Sequence, residues 1–159
     1  MVELMLFTDG SVNTQSKIGF GAYLVITESN LPLDILKKHV KVKRFENTSS
    51  TKLELQILLW ALNDISGIGH EVEIYSDSQN IIGLLDRREK LEKNQYLSKK
   101  GKPIKNQALY KEFYKLTDLL NCKFKKVHGH KVFHKKNEID TLFTLVDRAS
   151  RRALRKGNL

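Results

Sequence analysis

The spacing of hydrophobic and polar residues changes along the chain and predicts the order of its secondary-structure elements. Residues 3–8 form a short apolar strand that stops at a turn signal beginning with Asp9. Residues 19–27 are rich in β-prone side chains, and residues 39–45 alternate valine with lysine, which is the period of a strand with one wet face. The three segments predict an antiparallel meander.

The pattern becomes helical in the middle of the chain. Residues 53–65 are apolar on nearly every side, which predicts a buried helix. The elements predicted after it are a strand at 72–75, a helix at 79–85, a helix at 106–120, a strand at 123–127 and a last helix at 142–155. Three strands in a row followed by alternation predict an α/β fold with a mixed sheet, whose crossover helices cover its faces.

One stretch, residues 87–105, differs in composition from the rest of the chain. The length of 159 residues is that of one domain, spanning 1–159, with a sizeable core. Within residues 87–105, eight lysines and arginines face only two glutamates. We interpret this stretch as a basic protrusion that contacts phosphates. Tyr96 within it would either stack on a base or sugar, or anchor the protrusion against the body of the domain.

The charge and the cysteine content limit the classes of partner and the cellular compartments that we expect. The formal net charge of +10 favours a polyanionic partner, because each neutralised phosphate releases condensed counterions. A membrane surface is also anionic, but the sequence has neither a membrane-spanning apolar run nor a basic amphipathic helix with an aromatic apolar face. The single cysteine, Cys122, excludes an internal disulfide. With no signal-peptide pattern at the N-terminus, we expect a cytoplasmic protein without a membrane partner.

Four acidic residues stand at positions where acids are not needed for solubility. Asp9 and Asp77 each follow a predicted strand, Glu54 lies in the first turn of the buried helix, and Asp147 stands near the start of the last helix. Each has a purely structural alternative. Asp9 could be a turn residue, Glu54 could close a capping box that starts at Thr51, Asp77 could cap the next helix, and Asp147 could be a helix-terminal charge.

Together the four acids indicate a metal site. The carboxyl ends of strands in an open α/β sheet gather at one edge. A group of carboxylates repels itself unless a divalent cation neutralises it, and hard oxygen ligands select Mg²⁺ or Mn²⁺ rather than zinc. Two such ions about 4 Å apart can clamp the attacking water and the leaving oxygen of a phosphodiester. On a basic chain, this pattern predicts a phosphodiesterase.

Six short segments, in order along nearly the whole chain, resemble the ribonuclease H family, type 1. They are Phe-Thr-Asp-Gly-Ser at 7–11, Thr-Lys-Leu-Glu-Leu at 51–55, Tyr-Ser-Asp-Ser-Gln at 75–79, Gly-Lys-Pro-Ile-Lys-Asn at 101–106, Val-His-Gly-His at 127–130 and Val-Asp-Arg-Ala at 146–149. The resemblance implies a five-stranded mixed sheet with helices on both faces. It also implies two-metal hydrolysis of the RNA strand of RNA–DNA hybrids, leaving 5′-phosphate and 3′-hydroxyl ends.

The resemblance also implies roles for individual residues. Asp9, Glu54, Asp77 and Asp147 would hold the two Mg²⁺ or Mn²⁺ ions, and His130 would assist proton transfer or product release. The segment between His130 and Asp147 is longer than usual for the family and contains Asp140, whose spacing from His130 is nearer the common one. We prefer Asp147, because alanines at 149 and 153 continue the small-residue pattern expected of that helix.

Substrate contacts follow from family position in the same way. Gly10, Ser11 and Gln79 would touch the minor groove, where the 2′-hydroxyl distinguishes RNA from DNA. Ser49 would hold a phosphate of the DNA strand. The segment at 47–51 lacks the family's paired asparagines, so Thr51 or its neighbour Ser50 would contact the RNA there. The lysines expected to bind phosphates are Lys99, Lys100, Lys102 and Lys105.

Two other functions share much of this pattern. One is a DNA-cutting nuclease of the same fold, of the resolvase or transposase kind, against which the basic protrusion and the segment around His130 argue. The other is a non-catalytic module that binds hybrids, for which four metal-ready acids would be unnecessary. The favoured interpretation is a hybrid-cleaving endoribonuclease that acts as a monomer.

Overall fold

The computed structural model describes residues 3–27, 31–66, 71–127 and 138–157. Its strands are β1 (Glu3–Asn13), β2 (Ile18–Ile26), β3 (Lys41–Phe45), β4 (Glu71–Ser76) and β5 (Asn121–Lys126). Its helices are α1 (Leu33–His39), α2 (Ser50–Ile65), α3 (Gln79–Ile82), α4 (Leu84–Lys93), α5 (Gln107–Leu119) and α6 (Glu138–Gly157). Among these residues, no helix is long and apolar enough to cross a membrane.

The strands form one five-stranded sheet in the order β3-β2-β1-β4-β5. β1, β2 and β3 pair antiparallel as the predicted meander, while β4 and β5 run parallel to β1. The predicted mixed sheet is therefore confirmed. Its parallel part is joined by helical crossovers, as parallel strands require.

β1 is longer than the sequence pattern predicted, and the difference concerns Asp9. The strand was expected to stop before Asp9, but it continues to Asn13 because its second half pairs with β2. Pairing with β4 stops earlier, at Phe7 opposite Tyr75. Beyond that point, within the described parts of the chain, β1 has a strand on only one side. Asp9 therefore lies inside a strand, beside the place where β4 ends.

Two apolar layers cover the two faces of the sheet. Successive strand residues point to opposite faces, so Leu6 of β1 faces the layer formed with α2 and α5, while Phe7 faces the layer formed with α6. The first layer also contains Tyr96, which is buried and packs near Tyr114. Tyr96 thus anchors the protrusion to the body, which is one of the two roles considered for it.

Helix α2 lies directly against β1 and β2 where these strands carry glycine. A Cβ atom on Gly10 would come within 2.6 Å of Ile57 Cδ1 and 2.9 Å of Leu53 Cδ2. A Cβ atom on Gly21 would also collide with Ile57. The missing side chains let the first half of the helix approach the strands closely.

The helices depart from the prediction at three places. The last helix begins at Glu138 rather than at residue 142, and Ile139 in the added turn packs against the same core as Leu142 and Phe143. Asp147 is therefore in the interior of α6, and its predicted place near the start of the helix is wrong. The helix predicted at 79–85 is divided at Gly83 into α3 and α4. Helix α1 was not predicted, since Leu36 is its only buried residue.

Candidate carboxylate site

Asp9 brings together acidic side chains from three separate elements. Burial, followed by the negative charges of Asp77 and Asp147, raises the pKa of the Asp9 carboxyl to about 8. A side-chain hydrogen bond between Asp9 and Asp147 also raises this pKa, whereas a hydrogen bond from the backbone N–H of Gly10 lowers it. Strand β1, the segment after β4 and helix α6 thus meet at one place, beside the carboxyl end of β4.

Glu54 joins this group from helix α2 through Ser78. The Ser78 hydroxyl donates a hydrogen bond of 2.5 Å to Glu54 Oε2. Burial raises the pKa of Glu54, the hydrogen bond from Ser78 lowers it, and the charge of Asp77 raises it. Glu54 is consequently held beside Asp77, at the carboxyl end of β4. The four acids predicted from the sequence lie in one connected group.

The capping role considered for Glu54 is wrong. Helix α2 begins two residues earlier than a capping box at Thr51 requires, and its N-cap is Ser49, whose side chain accepts from the backbone N–H of Lys52 at 3.3 Å. Glu54 therefore lies beyond the first turn, where the backbone N–H groups already have partners inside the helix. Its carboxylate is turned to Ser78 instead.

Local structure also excludes the simple roles considered for two of the aspartates. Helix α3 is capped by Ser78, whose hydroxyl accepts from the backbone N–H of Ile81 at 3.2 Å, so Asp77 is not its N-cap. Asp147 is far from the N-terminus of α6, outside the first turn in which a helix dipole favours an acid.

Asp147 and Asp140 occupy different surroundings on α6. Asp147 is an interior helical residue whose charge acts on Asp9, and its Oδ1 forms an ion pair of 2.9 Å with Arg151 Nε. Asp140 lies in the first turn and is 6% exposed. The side-chain hydrogen bond and the charge interaction with Asp9 associate Asp147 with the other three acids.

The predicted substrate-binding residues near the acids have varied surroundings. The hydroxyl of Ser11 lies 3.2 Å from that of Ser150, which is fully buried on α6. Gln79 is exposed, and its Oε1 accepts a hydrogen bond of 2.7 Å from Lys126 Nζ. Thr51 is exposed at the start of α2, while Gly10 and Ser49 have the structural roles described above.

The lysines of the protrusion are arranged on a tight turn. Leu97 and Pro103 form an antiparallel bridge, and the backbone N–H of Gly101 donates to the carbonyl of Ser98 at 2.9 Å. Gly101 has a φ of 77°, which glycine adopts without strain. The predicted phosphate-binding lysines, Lys99, Lys100, Lys102 and Lys105, are all exposed at or beside this turn. His130 lies outside the described residues, so its role stays a prediction.

The donors in this group fit a hard divalent cation. All four are carboxylates, which Mg²⁺ and Mn²⁺ prefer, and after burial the negative charges of Asp77 and Asp147 contribute to the raised pKa of Asp9. A bound cation would remove this repulsion. Among the described residues, however, no three acidic, histidine or cysteine side chains are already gathered closely enough to enclose a metal ion. Metal binding would therefore draw the carboxylates together.

Two residues that position the acids were missed at the level of sequence. Ser78 holds Glu54, and Arg151 holds Asp147. Arg151 stands four residues after Asp147, a spacing that commonly allows ion pairing on a helix and could have identified it. Ser78 could be identified as a helix cap, but its bond to a residue 24 positions away has no local signal.

Comparisons with known proteins agree on one family. A family model described as RNase H matches residues 1–151. Ribonuclease H of Clostridium botulinum is 28% identical over 145 residues, which are 89% of this chain and 93% of the relative. Ribonuclease H of Caldicellulosiruptor saccharolyticus is 25% identical over 158 residues, covering 98% and 99% of the two chains.

Solved structures share the fold at lower identity. The solution structure of the PFV RNase H domain superposes with a TM-score of 0.74 at 16% identity, covering 94% of this chain and 92% of that one. LC9-RNase H1, a type 1 RNase H with the type 2 active-site motif, gives a TM-score of 0.72 at 17% identity, covering 95% and 71%.

Proposed function

This chain belongs to the ribonuclease H family and is a hybrid-cleaving endoribonuclease, and we propose that it cuts the RNA strand at the group formed by Asp9, Glu54, Asp77 and Asp147. The observation that carries this proposal is the interaction of Asp9 with Asp77 and Asp147. Three carboxylates from three elements repel one another in a partly buried place, which costs stability unless a cation is bound. A purely structural role would not explain such an arrangement.

The four carboxylates would hold two divalent ions, Mg²⁺ or Mn²⁺. Such ions lower the pKa of a bound water and neutralise charge on the phosphodiester as the bond to the leaving oxygen breaks. Ser78 keeps Glu54 turned toward Asp77, and Arg151 neutralises Asp147 in the metal-free protein. The products would carry 5′-phosphate and 3′-hydroxyl ends, and His130 would assist proton transfer or product release.

Substrate binding would combine contacts beside the acids with contacts at the protrusion. Gly10, Ser11 and Gln79 would face the minor groove, Thr51 the RNA strand and Ser49 a phosphate of the DNA strand. The exposed lysines on the turn at 98–101 and beside it would bind phosphates at a distance from the acids. The partner is therefore an RNA–DNA hybrid, and we propose that a monomer in the cytoplasm suffices to bind it.

The decisive experiment compares end-labelled substrates of one sequence: an RNA–DNA hybrid, duplex DNA and duplex RNA. We expect cleavage of the RNA strand of the hybrid alone, in Mg²⁺ or Mn²⁺, and none in excess EDTA. Cleavage of duplex DNA at a similar rate would support the resolvase-like alternative. Hybrid binding without cleavage in either metal would support a binding module. Phosphatase treatment of the products would establish which end carries the phosphate.

A further inference from the structure

A second concave surface lies on the side of α6 away from the carboxylates. It is a groove of about 430 Å³ between α6, the end of α1 and strand β3. Its floor is apolar and is formed by Val40, Val42, Leu145, Ala149 and Ala153. Val42, on the edge strand β3, is 43% exposed. The groove therefore offers apolar surface to an occupant.

Four cations surround this apolar floor: Lys37, Arg148, Arg152 and Lys156. All four are exposed, and within the described ranges none of them forms an ion pair with a carboxylate. By contrast, Arg151 on the same helix is paired with Asp147, and Arg88 on α4 is paired with Asp118. The positive charge around the groove is thus not balanced by neighbouring acids.

The groove and the carboxylate site lie on different faces of α6. Leu145, Arg148 and Arg152 are spaced by three and four residues, so they share one face of the helix. Asp147 is two residues after Leu145, which places it roughly half a turn away. The groove is therefore not part of the carboxylate site.

We propose that this groove binds an acidic peptide segment of a partner protein, with apolar side chains on the floor and carboxylates against the surrounding cations. The charges are complementary, since arginine binds carboxylates through paired hydrogen bonds. The apolar floor distinguishes this occupant from nucleic acid, whose outward phosphates gain nothing from contact with valine, leucine and alanine. A second copy of this chain would bring another strongly basic surface, given the net charge of +10.

The test uses a fluorescein-labelled peptide in which glutamate alternates with leucine, followed by anisotropy at moderate salt with the full chain. Two comparison peptides separate the contributions: one contains glutamate with glycine, and the other contains lysine with leucine. We expect the glutamate–leucine peptide to bind most tightly of the three. The double variant Arg148→Gln/Arg152→Gln should bind it about tenfold less tightly, since charged hydrogen bonds account for much of such affinity. Arg155→Gln/Lys115→Gln is the matched control, because it removes the same charge from two exposed residues outside the groove.

A second variant tests the floor independently of the charge around it. Ala149→Leu should fill the groove and weaken the peptide while leaving the net charge unchanged. Hybrid cleavage by these variants should equal that of the wild type, which separates this surface from the catalytic site. Equal binding of the three peptides, or no loss in either variant, would overturn the proposal. So would displacement of the peptide by duplex DNA with the same sensitivity to Arg148 and Arg152, because the surface would then belong to nucleic acid.

Discussion

Charged side chains stand in two contrasting settings in this molecule, the carboxylate site at the sheet edge and the lysine turn of the protrusion. At the first, a few acids from distant parts of the chain are partly buried, and burial and neighbouring charges raise the pKa of Asp9 and of Glu54. At the second, lysines that are neighbours in sequence project into solvent from a turn. The comparison teaches that burial strengthens the interaction between individual charges, so each residue matters. Exposed charges are screened by water and salt, and they act together through their total number.

The largest effect is expected at the buried carboxylate site, where replacing Asp147 and Asp140 in turn tests which of the two belongs to it. Asp147→Asn should reduce hybrid cleavage by at least about a hundredfold, because even residues that only support metal ligands are worth 10- to 100-fold. Asp140→Asn should leave turnover nearly unchanged but lower the melting temperature. A negative charge in the first turn of a helix contributes about 0.3–1 kcal/mol. Cleavage rates and melting curves of both variants check this, and a dead Asp140→Asn beside an active Asp147→Asn would reverse the assignment.

The next test uses pH and the absence of metal. The pKa of Asp9 is about 8 in the folded protein against an ordinary value of 3.8, so between these values only the unfolded chain releases the proton. Metal-free protein should therefore lose stability as pH rises from about 4 to 8, by at most about 1.4 kcal/mol per pH unit. Asp9→Asn should flatten this dependence, and Mg²⁺ should offset it. Denaturant melts across this range, with and without EDTA, provide the measurement.

Ser78 tests whether orientation matters as well as charge. Ser78→Ala removes the hydrogen bond to Glu54 and the cap of α3, and should cost about 1–2 kcal/mol of stability. It should also lower turnover, since Glu54 loses the group that turns it toward Asp77. Ser78→Thr keeps the hydroxyl and should restore both properties. Full turnover in the stable fraction of Ser78→Ala would show that the hydrogen bond is only structural.

The smallest effect for each residue is expected on the protrusion. Replacing Lys99, Lys100, Lys102 and Lys105 together by glutamine should weaken hybrid binding and flatten its dependence on salt, by up to about 0.9 in slope for each lost phosphate contact. Turnover at saturating hybrid should change much less. The matched control removes the same charge elsewhere, from Lys17, Lys38, Lys115 and Lys123. Equal salt slopes in the two quadruple variants would show that the turn is merely solvated.

Much of the fold could be predicted because its signals are local. The alternation of valine and lysine in β3 and the all-round apolar pattern of α2 each identify an element without reference to the rest. The start of α6 was placed four residues too late because residues 138–141 are mostly polar, and Ile139 is identified as part of the buried face only once the sheet that it packs against is known. Helix α1 gives almost no signal, since it contributes one buried leucine.

The candidate site divides in the same way. Its acids could be selected from their positions after strands and from resemblance to a family, although each had a local alternative. Two of those alternatives failed through details of capping, in which Ser49 and Ser78 occupy the N-cap positions. No sequence pattern distinguishes Asp147 from Asp140 by distance to Asp9, because that distance depends on how α6 crosses the sheet.

The contact between α2 and the glycines of β1 and β2 fixes the distance between the helix and the sheet, and with it the position of Glu54. Glu54 stands one turn before Ile57, the side chain that rests on Gly10 and Gly21. We expect a methyl group at either glycine to push the Ile57 side chain and displace that end of the helix, which would move Glu54 away from Asp77. A survey of inactive variants would then mark Gly21 as indispensable, although it has no side chain and touches no acid. In this family member, the distance between one helix and the sheet would determine how far Glu54 lies from the other acids of the candidate metal site.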